Sequence, residues 1–123
     1  MRLSHTTIFV DDVERTLRFY REVFGLLPTV VDASGKHAEL PGLVLMQHDL
    51  ANLTVPVGYL AASAGAKTLG VMLTFSIEDL ESTYERALTQ GGQKVTAPDG
   101  KVAYVRDCNG VLLELQQDEQ PRS

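Results

Sequence analysis

The chain has 123 residues and a mass of 13.5 kDa, which is enough for one domain with a hydrophobic core but short for two independent domains. Its 44% hydrophobic and 22% charged residues and its net charge of -5 are typical of a globular protein, and they exclude the basic surface that charge-driven nucleic-acid binding requires. No apolar run approaches the ~20 residues that cross a bilayer, and the first residues lack a signal-peptide pattern. We therefore expect a cytoplasmic protein with no nucleic-acid or membrane partner.

The first half of the chain predicts a strand, a helix and three further strands. Residues 3–10 are rich in Thr, Ile, Phe and Val, which favour a strand. Asp11 or Asp12 can cap the helix that follows, and Gly25 ends it. Its apolar positions recur at helical spacing: Val13, Leu17, Tyr20 and Phe24. Turn-forming Gly, Pro and Ser residues then separate three short strands, predicted at residues 27–32, 36–40 and 43–48.

The second half repeats this order. Residues 71–77 predict a strand, and a helix follows that ends before Gly91 and Gly92. Three more strands are predicted at residues 93–97, 101–106 and 111–116. A constant offset of 67 residues aligns five identical pairs: Thr7 with Thr74, Asp12 with Asp79, Glu14 with Glu81, Thr16 with Thr83, and Gly25 with Gly92. This internal similarity indicates two copies of one βαβββ module.

The repeat divides the chain into two modules within a single domain that spans residues 1–123. Module one covers about residues 1–49 and module two about residues 68–118. A linker of about residues 50–67, which contains Pro, Gly and small residues, joins them, and residues 119–123 form a polar tail.

Two stretches of this tandem arrangement resemble the vicinal oxygen chelate superfamily, which includes glyoxalase I, bleomycin-resistance proteins, fosfomycin-resistance enzymes and extradiol dioxygenases. They are the opening RLSHTTIFVDDVERTLRFYREVFGL and the ending VAYVRDCNGVLLEL. The resemblance covers nearly the whole chain. It implies an α+β fold in which the two modules form a cupped, incompletely closed mixed sheet around a cavity, with the helices outside. It also implies a homodimer, and leaves open whether one chain or two build the cavity.

In members of this superfamily that use a metal, four inward positions matter, on the first and last strand of each module. His5 matches the first-strand position of module one and Glu114 the last-strand position of module two, so the resemblance implies that these two residues are catalytic. The offset of 67 residues then points to Met72 and Gln47 as the other two positions. Aligning the turn glycines favours Met46 instead of Gln47, and comparison with the glyoxalase pattern favours Leu45.

The candidate metal ligands are His5, Glu114 and Gln47, which suit one divalent Ni, Zn, Mn or Fe ion. Met72 opposes such a site, because a thioether prefers Cu(I). It also replaces the histidine that extradiol dioxygenases and fosfomycin-resistance enzymes use. We therefore expect no cofactor, although one metal ion remains an alternative. In the metal-free case His5 and Glu114 are expected to form a hydrogen-bonded pair in the cavity wall.

Strand alternation adds other ligand-binding candidates, because every second residue of a strand shares a face. Together with Gln47 and Met72, these candidates are Thr7, Thr74, Leu112, Tyr104 and Arg106. Cys108 is the only cysteine, so it cannot form an intrachain disulfide, and its polar, glycine-containing neighbourhood predicts a turn. We interpret it as an incidental loop residue.

Three functions from different classes fit these observations. The favoured one is a protein of the glyoxalase and bleomycin-resistance type that binds a small organic molecule between its modules, with a degenerate metal site. The alternative is a metal-dependent lyase, isomerase or epimerase of the glyoxalase I type that acts on a carbonyl substrate. The third is a scaffold or regulatory subunit. Metal content distinguishes the first two.

Overall fold

A computed structural model of the protein describes residues 1–50 and 71–119. Most of the predicted linker and the end of the polar tail lie outside the described residues. The elements of module one are β1 Thr6–Val10, α1 Val13–Phe24, β2 Val30–Val31, β3 His37–Leu40 and β4 Leu43–Gln47. Those of module two are β5 Met72–Ile77, α2 Leu80–Thr89, β6 Gln93–Asp99, β7 Val102–Arg106 and β8 Leu112–Gln117. The predicted βαβββ order is therefore confirmed in both modules.

Each module builds one four-stranded mixed sheet, with strand orders β1-β4-β3-β2 and β5-β8-β7-β6. The first and last strands of each module pair in parallel, and the other neighbours pair antiparallel. The two sheets remain separate in this strand pairing, so neither closes into a barrel. The predicted fold class, α+β with two modules and an incompletely closed sheet, is confirmed.

Both helices begin with the same local chemistry. The side chains of Asp12 and Asp79 accept hydrogen bonds from the backbone N–H groups of Arg15 and Ser82, at 3.0 and 3.1 Å. These are N-cap interactions, which satisfy N–H groups that have no partner within the helix. Gly25 ends α1 with a φ of 70°, a left-handed conformation that glycine adopts without steric cost.

Alternation along the strands separates a helix-facing side from the opposite side of each sheet. In β8, Leu113 and Leu115 are fully buried, whereas Leu112 and Glu114 are half-buried and Gln116 is exposed. The buried leucines pack with Leu80, Tyr84 and Ala87 of α2. We call the side of the second sheet that carries Leu112, Glu114 and Gln116 its open face.

Helix α1 contributes to the hydrophobic cores of both modules. Val13 packs in the first core beside Leu45, while Phe19 and Tyr20 pack in the second beside Leu113. Arg86 of α2 adds a polar link, because its Nε and Nη2 donate to the carbonyl of Val23 at 3.3 and 3.0 Å. The two modules are thus joined through the helix side of their sheets. No helix in the described ranges is long and apolar enough to cross a membrane.

Candidate functional site

The carboxylate of Glu114 is the most highly hydrogen-bonded group on the open face. Its Oε1 accepts from the hydroxyl of Thr74 at 3.0 Å and from Nε2 of Gln116 at 3.2 Å. Its Oε2 accepts from the hydroxyl of Tyr104 at 2.8 Å. Three donors from three strands therefore fix the orientation of one acidic side chain.

Strand register explains why these residues meet. Thr74 is the parallel partner of Glu114, and Tyr104 is its antiparallel partner. Register partners project from the same side of a sheet with Cβ atoms about 5 Å apart, within reach of hydroxyl and carboxylate groups. Gln116 joins them because it lies two residues beyond Glu114 on the same strand. Glu114, together with Thr74, Tyr104 and Gln116, is called the Glu114 cluster below.

Tyr104 acts as the hydrogen-bond donor in this cluster. Its hydrogen bond to Glu114 raises the pKa of the Tyr104 hydroxyl above the ordinary value, and desolvation and the negative charge of Glu114 act in the same direction. The phenol therefore stays protonated around neutral pH and presents its O–H to the carboxylate.

The predicted residues of module two share the open face. Met72 and Leu112 are register partners at one end of the Glu114 cluster, and Met72 is 45% exposed. Arg106 pairs with Leu112, and its Nη1 donates to the backbone carbonyl of Gly110 at 3.0 Å. The structure thus brings polar, apolar and cationic side chains together on one surface, as the alternation of the strands predicted.

His5 is not part of the Glu114 cluster. It precedes β1, is exposed, and its Nδ1 lies 3.1 Å from the hydroxyl oxygen of Ser4. Within residues 1–50 and 71–119, no hydrogen bond or ion pair joins His5 to Glu114. The expected pairing of His5 with Glu114 is therefore absent from this structure.

The structure also corrects the assignment of Gln47. Its Oε1 accepts a hydrogen bond from the backbone N–H of Val13, the first residue of α1, at 3.2 Å. Gln47 pairs with Val10 and thus projects toward the helix, not toward the opposite side of the sheet. Gln117 does the same in module two, where its Oε1 accepts from the N–H of Leu80 at 2.9 Å. Both glutamines support helix starts, so Gln47 does not belong to the predicted ligand set.

The register identifies Val44 as the residue equivalent to Glu114. Thr7 pairs with Val44 in the first sheet, as Thr74 pairs with Glu114 in the second. Thr74 follows Thr7 by 67 residues, but Glu114 follows Val44 by 70, because module two has three more residues between its first and last strands. The single offset used for prediction therefore misplaced the last strand, and the alternatives Met46 and Leu45 are displaced as well.

These positions do not fit a divalent metal. The corrected quartet is His5, Val44, Met72 and Glu114, in which valine offers no donor atom and methionine offers a soft thioether. Both oxygens of Glu114 already accept hydrogen bonds. In the described part of the chain, no group of three or more His, Cys, Asp or Glu side chains is arranged to hold a metal ion.

The DCNG turn has a structural role in joining the modules. Asp107 is buried and accepts from the hydroxyl of Tyr20 at 2.6 Å and from the backbone N–H groups of Asn109 and Val111 at 2.8 and 3.0 Å. Asn109 donates to the hydroxyl of Thr16 at 2.8 Å. Desolvation raises the pKa of Asp107 although these hydrogen bonds oppose the shift. This turn anchors α1 to module two.

A surface pocket lies between residues of both modules, near the Glu114 cluster. Module one lines it with Thr6, Leu26, Pro41, Gly42 and Leu43, and module two with Leu73, Thr74 and Phe75. Thr74 belongs to both the pocket and the cluster. Phe75 stacks on Phe24 with ring centroids 4.1 Å apart, which gives this region an aromatic base.

Sequence reasoning missed Gln116 as a member of the cluster. The signal was available, because residues 112, 114 and 116 share a face by alternation, and Gln116 has a side-chain amide that can reach its neighbour. Strand pairing also explains why Thr74 and Tyr104, which were predicted only as members of the face, both contact the carboxylate.

Solved structures with the same architecture include several glyoxalase-related proteins. A glyoxalase-related enzyme from Fulvimarina pelagi matches with a TM-score of 0.73 and 22% identity over 96% of this chain and 89% of that chain. Glyoxalase I from Leishmania major, described as trypanothione-dependent, matches with a TM-score of 0.72 and 20% identity over 97% of this chain and 88% of that chain. At these identities the similarity shows the fold alone.

Two sequence comparisons complete these findings. The chain is 33% identical over 96 residues to the Holliday junction branch migration complex subunit RuvB of Treponema pallidum, but the match spans only 27% of that protein and 75% of this chain. The family model described as Glyoxalase/Bleomycin resistance protein/Dioxygenase superfamily matches residues 2–115. This second match covers nearly the whole chain and agrees with the two-module fold, so the chain belongs to the Glyoxalase/Bleomycin resistance protein/Dioxygenase superfamily.

Proposed function

We propose that this protein binds a small organic molecule in the cavity between its two modules, without a metal ion. The observation that carries the proposal is the Glu114 cluster, in which the hydroxyls of Thr74 and Tyr104 and the amide of Gln116 hold one carboxylate in place. A polar group fixed in this way on a mixed polar and apolar surface is typical of a ligand-orienting site.

The donor atoms support a degenerate metal site. Protein sites for catalytic zinc keep at least three protein ligands. The corrected quartet offers two such ligands, His5 and Glu114, and the second is already engaged by three hydrogen-bond donors. Val44 and Met72 replace the other two positions with apolar groups, so the remaining chemistry favours binding over metal-assisted turnover.

The apolar surroundings support an organic ligand. Met72 is 45% exposed beside Leu112, and methionine adapts its shape to apolar ligands. The pocket that contains Thr74 is lined by leucines and Phe75 from both sides of the module boundary. An amphipathic small molecule can therefore contact an apolar wall and the Glu114 cluster together.

The test is a fragment screen followed by amide chemical shifts in isotope-labelled protein. We expect aromatic fragments of mixed polarity to shift the amides of Thr74, Tyr104 and Glu114. A Met72→Asp variant should weaken these fragments about tenfold, since it places a charge in the apolar wall. The matched control is Val95→Asp, which alters an exposed valine of strand β6. Shifts confined to surfaces away from the open face would contradict the proposal.

A further inference from the structure

Glu114 retains one acceptor position that no described donor occupies. An ionised carboxylate offers about four lone-pair sites, two on each oxygen. Thr74 and Gln116 both donate to Oε1, whereas Tyr104 alone donates to Oε2. The oxygen that faces Tyr104 can therefore accept one more hydrogen bond.

The charge of Glu114 is not neutralised by a cation in the described part of the chain. All three groups that donate to it are neutral, and no ion pair to a lysine, arginine or histidine within residues 1–50 and 71–119 involves it. Arg106 lies on the same face, but its Nη1 donates to the carbonyl of Gly110. An anionic acceptor inside a chain of net charge -5 favours a positively charged ligand.

The single open position limits the shape of that cation. Guanidinium and amidinium groups bind a carboxylate through two parallel N–H···O bonds, one to each oxygen. Here Oε1 already accepts two hydrogen bonds, so this two-point arrangement is blocked. An ammonium group needs only one N–H directed at Oε2.

We propose that the ligand carries a primary or secondary ammonium group next to an apolar portion. The ammonium donates to Oε2 of Glu114, and the apolar portion lies against Met72 and Leu112. These two residues are register partners on the open face, one same-face position along the strands from Thr74 and Glu114, which is about 7 Å. This inference rests on the proposed function and specifies the chemical class of the molecule bound.

The experiment compares three probes of nearly equal size: benzylamine, benzamidine and benzyl alcohol. Each is titrated into isotope-labelled protein while the amide signals of Thr74, Tyr104 and Glu114 are followed. We expect benzylamine to bind about tenfold more tightly than benzyl alcohol, because it adds a charged hydrogen bond, and benzamidine to bind no better than benzylamine. In a Glu114→Gln variant the advantage of benzylamine over benzyl alcohol should disappear while the amide spectrum remains that of the folded protein.

A second variant tests the single acceptor position. Gln116→Leu removes the amide that donates to Oε1, and Gln116 is exposed, so the fold should be retained. Benzamidine should then gain about tenfold relative to benzylamine, because both oxygens become available for two-point binding. A benzamidine affinity that already exceeds that of benzylamine in the unmodified protein would overturn the single-donor assignment.

The remaining outcomes separate this inference from the proposed function. If benzylamine and benzyl alcohol bind the open face equally, and Glu114→Gln changes neither, the ammonium class is wrong while small-molecule binding stands. If no probe of any charge shifts open-face signals and neutral fragments also fail, both proposals are overturned.

Discussion

At the scale of single residues, the chemistry of this chain is decided by which partner each polar side chain has. Glu114 accepts three hydrogen bonds on an accessible face, which keeps it oriented and available. Asp107, seven positions earlier, is equally well supplied with donors but is buried and serves the assembly of the two modules. Two carboxylates in one short segment therefore have different roles, and burial distinguishes them.

Cys108 gives a prediction at this scale. Burial raises the pKa of its thiol to about 11, so only a very small fraction is the reactive thiolate at pH 8. We expect iodoacetamide at pH 8 to modify the folded protein far more slowly than a small free thiol. The measurement is the rate of mass increase, and the unfolded protein in denaturant is the control. Equal rates in the folded and unfolded states would show that the thiol is not protected.

At the scale of elements, the two glutamines at the ends of β4 and β8 support the starts of the two helices. Gln47 accepts from the N–H of Val13, and Gln117 from the N–H of Leu80, and both helix residues are buried. A buried N–H without a partner is costly, so these side chains stabilise each strand-to-helix junction.

This arrangement predicts a stability difference between neighbouring glutamines. Gln117→Leu should lower the free energy of unfolding by about 1 kcal/mol, and Gln47→Leu by a similar amount, since each leaves a helix N–H unpaired. Gln116→Leu is the matched control, because its exposed side chain contacts only Glu114 and should change stability little. Urea unfolding measures all three. Equal stability of the Gln116 and Gln117 variants would contradict the assigned roles.

The same elements show how far sequence reasoning reaches. The βαβββ order followed from alternation, helical periodicity and turn residues, and Asp12 and Asp79 were correctly aligned as helix caps. The offset that aligned them failed for the last strand, because the extra residues of module two lie in its intervening strands and turns. Gln47 was therefore aligned with Glu114 when it corresponds to Gln117. Such an error is invisible to a gapless comparison, since loop length is set by turn geometry and not by the core pattern.

At the scale of the whole molecule, α1 connects the modules through buried polar contacts. The hydroxyl of Tyr20 donates to Asp107 at 2.6 Å, and Nη2 of Arg15 donates to Asn109 at 3.2 Å. These contacts cross from the first helix to the turn before the last strand, so they hold module two in place beneath α1. The open face with Glu114 lies on the other side of that sheet.

The buried carboxylate predicts how stability depends on pH. The pKa of Asp107 is raised in the folded state, mainly by desolvation, above its ordinary value of 3.8. The folded protein therefore takes up this proton at higher pH than the unfolded chain, and Asp107 contributes more favourably as pH falls through its raised pKa toward the ordinary value. Relative to an Asp107→Asn variant, the unfolding free energy of the unmodified protein should rise between pH 7 and pH 4. A constant or falling difference would contradict this.

Metal binding by the purified protein is the measurement that tests the central claim most directly. The account holds that hydrogen bonds, and not a metal ion, organise Glu114. Mass spectrometry of protein purified without chelator, followed by calorimetric titration with zinc, nickel, manganese and iron(II), should give far less than one bound ion per chain. Near-stoichiometric metal that is lost in both His5→Ala and Glu114→Gln variants would contradict the claim, and would favour a metal-dependent lyase, isomerase or epimerase.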